Sequence, residues 1–406
     1  MTYQPPVGAR DLLPIDVAQK RWVEDQVQRV FHHWGYQRII TSTLERLETL
    51  IAGGAVHPDT VIQLQDTEGE VLGLRSELTA SIARTVVTRM AEATDPHRLY
   101  YLANVFRRAQ RNSHNRQYEF YQAGVELLGA IGLMADAEIL LLLTDCLNQL
   151  NLGSWYLILG EAGLTQSLLS PFPTGLRETV RGAIASLDRI TLETLPLDQS
   201  LRDRALMLMD LRGKPADVLQ QVSHISLDPS QQAIVNHLKA LTELLPAVFS
   251  DNAASLILDL SLIQTFDYYT GIVFEVVSDT SAGQRVLGQG GRYDQLLSLY
   301  HPQGKTCAGI GFSLNTEELH QVLLMNHQLP THLQWTDWLI VPTSTDAYAA
   351  ALRHAQELRH AGALRVELDT QGLDDTDTVR DYAHRRHIKQ IAWVEADGST
   401  KTELLI

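Results

Sequence analysis

The sequence predicts an α+β fold in three parts: a strand-rich core over residues 1–325, a helical insertion within it over 164–250, and a small α/β domain over 337–406. Three observations carry this. Segments 98–106 and 273–277 are dense in β-branched and aromatic residues, as strands are. Between about 164 and 250 the apolar residues recur at helical spacing. After residue 337 apolar strand-like runs alternate with helical ones, as in a mixed sheet covered by helices.

Taken in order, residues 17–34 carry Val23, Val27, Val30, Phe31 and Trp34 on one stripe, a helix closed by Gly35. Phe31 and Trp34 are expected in the core. Arg98 to Phe106 reads as a strand entering a basic loop, 107–117, which holds Arg107, Arg108, Arg111, His114 and Arg116. That loop could grip phosphate, face a partner or stay solvated. A helix over 135–150 and a strand over 155–160 follow. In the insertion, 201–211 and 234–248 are helical, and Asp228-Pro229-Ser230 marks a helix start. A linker over 326–336 leads to strands at 338–342, 364–368 and 390–394 and helices at 346–360 and 378–387. The cluster His384-Arg385-Arg386-His387 could touch RNA or a partner, or form a solvated face.

Bulk properties narrow the function. The 406 residues include 48 acidic and 33 basic side chains, a net charge of −15 that disfavours nonspecific nucleic-acid binding. The two cysteines, Cys146 and Cys307, lie far apart without metal-ligand spacing, so no metal site is expected, and they read as buried thiols of a cytoplasmic protein. No secretory signal opens the chain, and its longest aliphatic block, 139–143, is too short to span a membrane.

The chemistry concentrates in ordered blocks. Leu74-Arg75-Ser76-Glu77-Leu78-Thr79-Ala80 comes first, followed by Phe106-Arg107 and Glu119-Phe120-Tyr121-Gln122-Ala123-Gly124-Val125-Glu126. Next stand Asp267-Tyr268-Tyr269-Thr270, then Gly288-Gln289-Gly290-Gly291-Arg292-Tyr293-Asp294 and Gly309-Ile310-Gly311-Phe312. Glycines at 288, 290 and 291 would let the backbone approach a ligand closely. The chain resembles the class II aminoacyl-tRNA synthetases, in their histidyl branch, over roughly residues 5–325. That resemblance implies a large antiparallel sheet with flanking helices, and a C-terminal domain similar to a shortened anticodon-binding domain.

By the same resemblance Glu77, Thr79, Arg107, Gln122, Glu126, Tyr269 and Tyr293 line a histidine pocket. Carboxylate and hydroxyl acceptors suit an α-ammonium, and a carboxylate with aromatic walls suits an imidazole. Other positions depart from the synthetase pattern. Ala109 replaces the glutamate of the second class II motif, Gln264 the arginine that helps activate the carboxyl group, and Glu318 the arginine offered to the triphosphate. Motif one carries Ser42 where a proline is usual. Reversing one charge about 5 Å from a phosphate swings the interaction by about 6 kcal/mol at an effective dielectric near 20. That is on the order of 10⁴-fold in rate if it falls on the transition state.

A kept pocket with lost charges is similar to the synthetase-like regulatory subunits of ATP phosphoribosyltransferase. The resemblance implies a noncatalytic chain with no cofactor, needed by the short-form catalytic subunit in the first step of histidine biosynthesis and for its histidine feedback. It also implies a homodimer within a hetero-oligomer, with histidine as effector and neither nucleic acid nor membrane as partner. The alternatives are an active histidyl-tRNA synthetase with divergent motifs, or a histidine or RNA sensor paralogue.

Overall fold

The computed structural model describes residues 3–405 apart from 55, 91–95, 109–116, 249–254, 263–267, 281–282, 333–335 and 373–374. Ala109, Gln264 and most of the basic loop lie outside the described residues. The chain divides into two compact units, Met1–Leu329 and Pro330–Ile406.

The larger unit opens with α1 (Pro14–His33), β1 (Gln37–Arg38), β2 (Leu44–Arg46), α2 (Leu47–Ile51), β3 (Gln63–Gln65), β4 (Val71–Leu74) and α3 (Thr79–Arg89). It continues through β5 (His97–Phe106), β6 (Glu119–Leu128), α4 (Leu133–Gln149) and β7 (Trp155–Glu161). The insertion supplies α5 (Ala162–Leu169), α6 (Thr174–Ala185), α7 (Arg189–Thr194), α8 (Gln199–Asp210), β8 (Arg212–Gly213), α9 (Pro215–Val222) and α10 (Pro229–Val248). The unit closes with β9 (Ser255–Asp259), β10 (Ile272–Thr280), β11 (Gly283–Arg292), α11 (Leu296–Tyr300), β12 (Gly309–Asn315) and α12 (Thr316–Met325).

A nine-stranded sheet, ordered β1-β5-β6-β12-β11-β10-β7-β9-β8, forms its centre. The run from β5 to β7 is antiparallel throughout, while β1 joins β5 and β9 joins β7 in parallel, and β8 closes antiparallel on β9. This is the fold class the sequence predicts. Alternation sorts the side chains: Ala123, Val125 and Leu127 of β6 face the main core, while Gln122, Gly124 and Glu126 point to the other face. On the core face, α1 buries Val23, Val27 and Phe31 fully. Trp34 sits instead at the rim, half-buried, and donates its indole N–H to Asp145 at 2.9 Å. A polar handle at the helix end is easier to satisfy at the rim than inside. The insertion's α10 starts where Asp228 accepts from the backbone N–H groups of Ser230 and Gln231.

The smaller unit contains β13 (Thr336–Pro342), α13 (Tyr348–Ala361), β14 (Val366–Leu368), α14 (Thr376–Arg385), β15 (Ile388–Val394) and β16 (Thr400–Leu404). Its sheet runs β14-β13-β15-β16, with only β16 antiparallel. In the basic cluster at the end of α14, Arg386 pairs with Glu367 at 3.3 Å. Cys146 is buried as expected, but Cys307 is only half-buried. No helix among the described residues is long and apolar enough to cross a membrane.

Candidate functional site

The face of the large sheet opposite the main core carries a recessed floor. Register aligns Glu126 of β6 with Gly311 of β12, and Gly311 with Gly291 of β11. Glycine is required at Gly311 because a Cβ there would collide with the Glu126 carboxylate and the Val125 carbonyl. At Gly291 a Cβ would stand 2.7 Å from the Tyr269 ring. These contacts correct the reading of the glycine-rich strand. Its bare backbone admits neighbouring protein side chains, Phe274 at Gly290 and Tyr269 at Gly291, rather than a ligand.

Over this floor sits the N-terminus of α3. Both oxygens of Glu77 are engaged there, accepting from the backbone N–H of Thr79 at 2.6 Å and of Ala80 at 2.9 Å. Glu77 thus caps the helix as well as facing the pocket, a second role that the sequence reading omits. Thr79 donates its hydroxyl to Glu126 at 2.7 Å, and Tyr293 donates its phenol to the other oxygen of the same carboxylate. Tyr268, Tyr269 and Tyr293 close the opposite side edge to face, with ring centroids 4.9 and 5.7 Å apart. Arg107, just past β5, donates to the Ser76 carbonyl at 3.1 Å and lies close enough to Glu77 to favour its charge.

Electrostatics set the protonation of this pocket. Burial pushes the Glu126 carboxyl up to about 8, against the pull of the Tyr293 and Thr79 hydrogen bonds, and Glu77 adds to the rise. Burial also raises Glu77, with the helix N–H groups, the Thr79 hydroxyl and Arg107 opposing. Arg107 itself is lowered by burial and sustained by Glu77. All seven residues assigned from the sequence to the pocket line one cavity. The sequence reading missed Tyr101, Tyr268, Gln289 and Ser313, which also line it. Alternation along β5, β11 and β12 was the signal available for three of them. The free volume is about 20 Å³, room for about one water.

Glu318 lies on α12, where its carboxylate accepts from Arg285 of β11 at 2.6 Å. Its neighbour Glu317 accepts from Arg10 at 2.9 Å and Gln117 at 2.8 Å. Arg292, the arginine of the glycine-rich block, turns to the core face and forms a buried pair with Asp136 of α4 at 2.6 Å. The same carboxylate meets His237 of α10 at 2.7 Å, so it ties the insertion to the sheet. That link joins residues 101 positions apart and has no local sequence signal.

The fold and this pocket define a class II, histidyl-tRNA-synthetase-like chain, and the histidyl-tRNA synthetase family model matches residues 8–319. Among solved structures, a Bacillus halodurans protein described as an ATP phosphoribosyltransferase regulatory subunit/histidyl-tRNA synthetase superposes with a TM-score of 0.81 at 26% identity, covering 97% of this chain and 99% of that one. A Nostoc histidyl-tRNA synthetase shares the fold, with a TM-score of 0.78 at 20% identity over 100% of this chain and 97% of that one. Curated relatives are much nearer in sequence. The ATP phosphoribosyltransferase regulatory subunit of a Nostoc species is 62% identical over 98% of both chains. That of Synechococcus elongatus is 54% identical over 99% of this chain and 97% of its own. The chain belongs to the family of ATP phosphoribosyltransferase regulatory subunits.

Proposed function

We propose that the chain holds histidine in the pocket between α3 and the sheet and, as the regulatory subunit of ATP phosphoribosyltransferase, both activates the short-form catalytic subunit and makes it sensitive to histidine. It has no aminoacylation activity of its own. Glu77, Thr79 and Gln122 receive the α-ammonium, Glu126 and Tyr293 meet the imidazole, and Arg107 neutralises the carboxylate end. The single observation that carries this reading is the convergence of two buried carboxylates, a threonine and four tyrosines on one small cavity. Such a donor and acceptor set suits a small zwitterion with a second basic group. The position that in the synthetases offers an arginine to the triphosphate carries Glu318, whose charge is spent on Arg285. The alternative of an active synthetase loses support there, and the identity to the regulatory subunits favours the first reading.

Reconstitution with a short catalytic subunit tests it. Phosphoribosyl transfer should appear only with both chains present and fall as histidine rises, and the isolated chain should show no histidine-dependent pyrophosphate exchange. Exchange above background, or transfer indifferent to this chain, would sink the reading.

A further inference from the structure

Three pocket residues that the sequence reading missed, Tyr101, Ser313 and Gln289, stand in one row across the large sheet. Register sets them side by side: Tyr101 of β5 is opposite Gly124 of β6, Gly124 opposite Ser313 of β12, and Ser313 opposite Gln289 of β11. Gly124 keeps the row open, because a Cβ there would collide with the Tyr101 hydroxyl, so the phenol lies across the bare backbone of β6. The neighbouring row holds Leu99, Glu126, Gly311 and Gly291. It lies two residues along each strand, or about 7 Å away. An extended histidine covers such a span from its ring to its carboxylate.

The polar groups around the cavity are used unequally. Both Glu126 oxygens accept, one from Thr79 and one from Tyr293, and both Glu77 oxygens accept backbone N–H groups of α3. By contrast, the Tyr101 hydroxyl, the Ser313 hydroxyl and the Gln289 amide have no hydrogen-bond partner among the described residues. Each of the three can donate, and an ionised carboxylate only accepts, so the row suits that group. Charge decides which way round a histidine lies. An ammonium on this row would turn the ligand's carboxylate toward Glu77 and Glu126, where like charges repel. A carboxylate on it leaves the ammonium and the ring N–H to those two acids, and it lies where Arg107 acts on both Glu77 and Tyr101. Glu275, next along the row on β10, is not among the lining residues and has a partner of its own.

We propose that Tyr101, Ser313 and Gln289 receive the carboxylate of histidine and make the pocket selective for the amino acid over analogues that lack this group. The proposal rests on the histidine reading above and adds the donors that recognise the end Arg107 neutralises.

Calorimetric titration of the full chain with L-histidine and with L-histidinol, which carries a hydroxymethyl group in place of the carboxylate, tests the proposal. Wild type should prefer histidine by about tenfold or more, the weight of one hydrogen bond to a charged group. Ser313→Ala, Tyr101→Phe and Gln289→Leu should each weaken histidine about tenfold and histidinol by less than about twofold, which narrows the preference. The groups removed make no internal bond among the described residues, so the unfolding midpoint of Ser313→Ala and Tyr101→Phe without ligand should stay at the wild-type value. The proposal is overturned if the variants lose histidine and histidinol in equal measure, as a packing defect would cause, or if all three bind histidine as wild type does. Wild type that takes up neither ligand to about 10 mM would remove the histidine reading and this one with it, whereas equal losses remove only this one.

Discussion

Replacing Glu126 with glutamine should weaken the response to histidine and stabilise the protein, because the wild-type carboxyl is held in a state that costs folding energy. Burial raises it from 4.5 to about 8. Below pH 4.5 the folded and unfolded chains both keep the proton, so the group has no effect on stability. Above 4.5 the unfolded chain releases it first, and the folded state loses about 1.4 kcal/mol per pH unit until about pH 8. The accumulated cost is about 3 kcal/mol at pH 7 and levels off near 5 kcal/mol above pH 8. Glutamine removes that cost but turns an NH₂ toward one of the two hydroxyls that donate to Glu126, a mismatch of about 1 kcal/mol. The net gain near pH 7 is about 2 kcal/mol, or about 4 °C in the unfolding midpoint. Histidine affinity should fall about ten- to a hundredfold with the loss of a charge-assisted hydrogen bond. Thermal unfolding at pH 5, 7 and 8.5, with calorimetric titration of histidine, reads both effects. A variant less stable than wild type at pH 8.5, or one with unchanged affinity, would refute the reasoning.

In wild type, histidine affinity should rise about fivefold from pH 7 to pH 8 as Glu126 ionises, and Glu126→Gln should flatten that rise; titration across the range checks it. Glu77→Gln should weaken histidine inhibition of the reconstituted complex about ten- to a hundredfold and also lower the unfolding midpoint, since an amide NH₂ must face an N–H of α3. Retained inhibition with a lowered midpoint would restrict Glu77 to capping. His237 is raised above 6.5, chiefly by its hydrogen bond to Asp136. Its contribution is therefore fully present below about pH 6.5 and lost as pH rises through the folded value. His237→Gln should accordingly lower the midpoint most at pH 6 and converge on wild type in alkali, and an equal loss at all pH values would show that packing alone is at stake.

The strands β5 and β10 were legible because they are dense in β-branched and aromatic residues. The short sheet of β2, β3 and β4 was not, since its strands span three or four residues and are largely exposed. β16, Thr-Lys-Thr-Glu-Leu, escaped for a related reason: an edge strand facing solvent carries no apolar run, and its pairing with β15 is a tertiary fact. The pocket residues were named through family motifs, yet their bonding was hidden. Nothing in Ser76-Glu77-Leu78-Thr79 distinguishes a carboxylate aimed at a ligand from one capping a helix, because the two uses need the same residue at the same spacing. The glycine-rich strand was misread since a missing Cβ shows that something comes close and leaves open what does.

The pocket as it stands has acceptors but little room, and that combination bears on regulation. Its free volume of about 20 Å³ falls far short of an ordinary ligand site, and the Glu126 oxygens are occupied by Thr79 and Tyr293. On the proposed function, histidine would have to displace these internal bonds and open the wall, and bound and unbound forms of this subunit would then differ in structure. The floor is held by strand ladders on both sides of Gly311, and α3 is anchored by the Glu77 cap. A ligand shifts an equilibrium only by its difference in affinity for two states. A pocket open in both would therefore bind histidine and transmit nothing. On the proposed function, closure in the absence of ligand would supply the required difference.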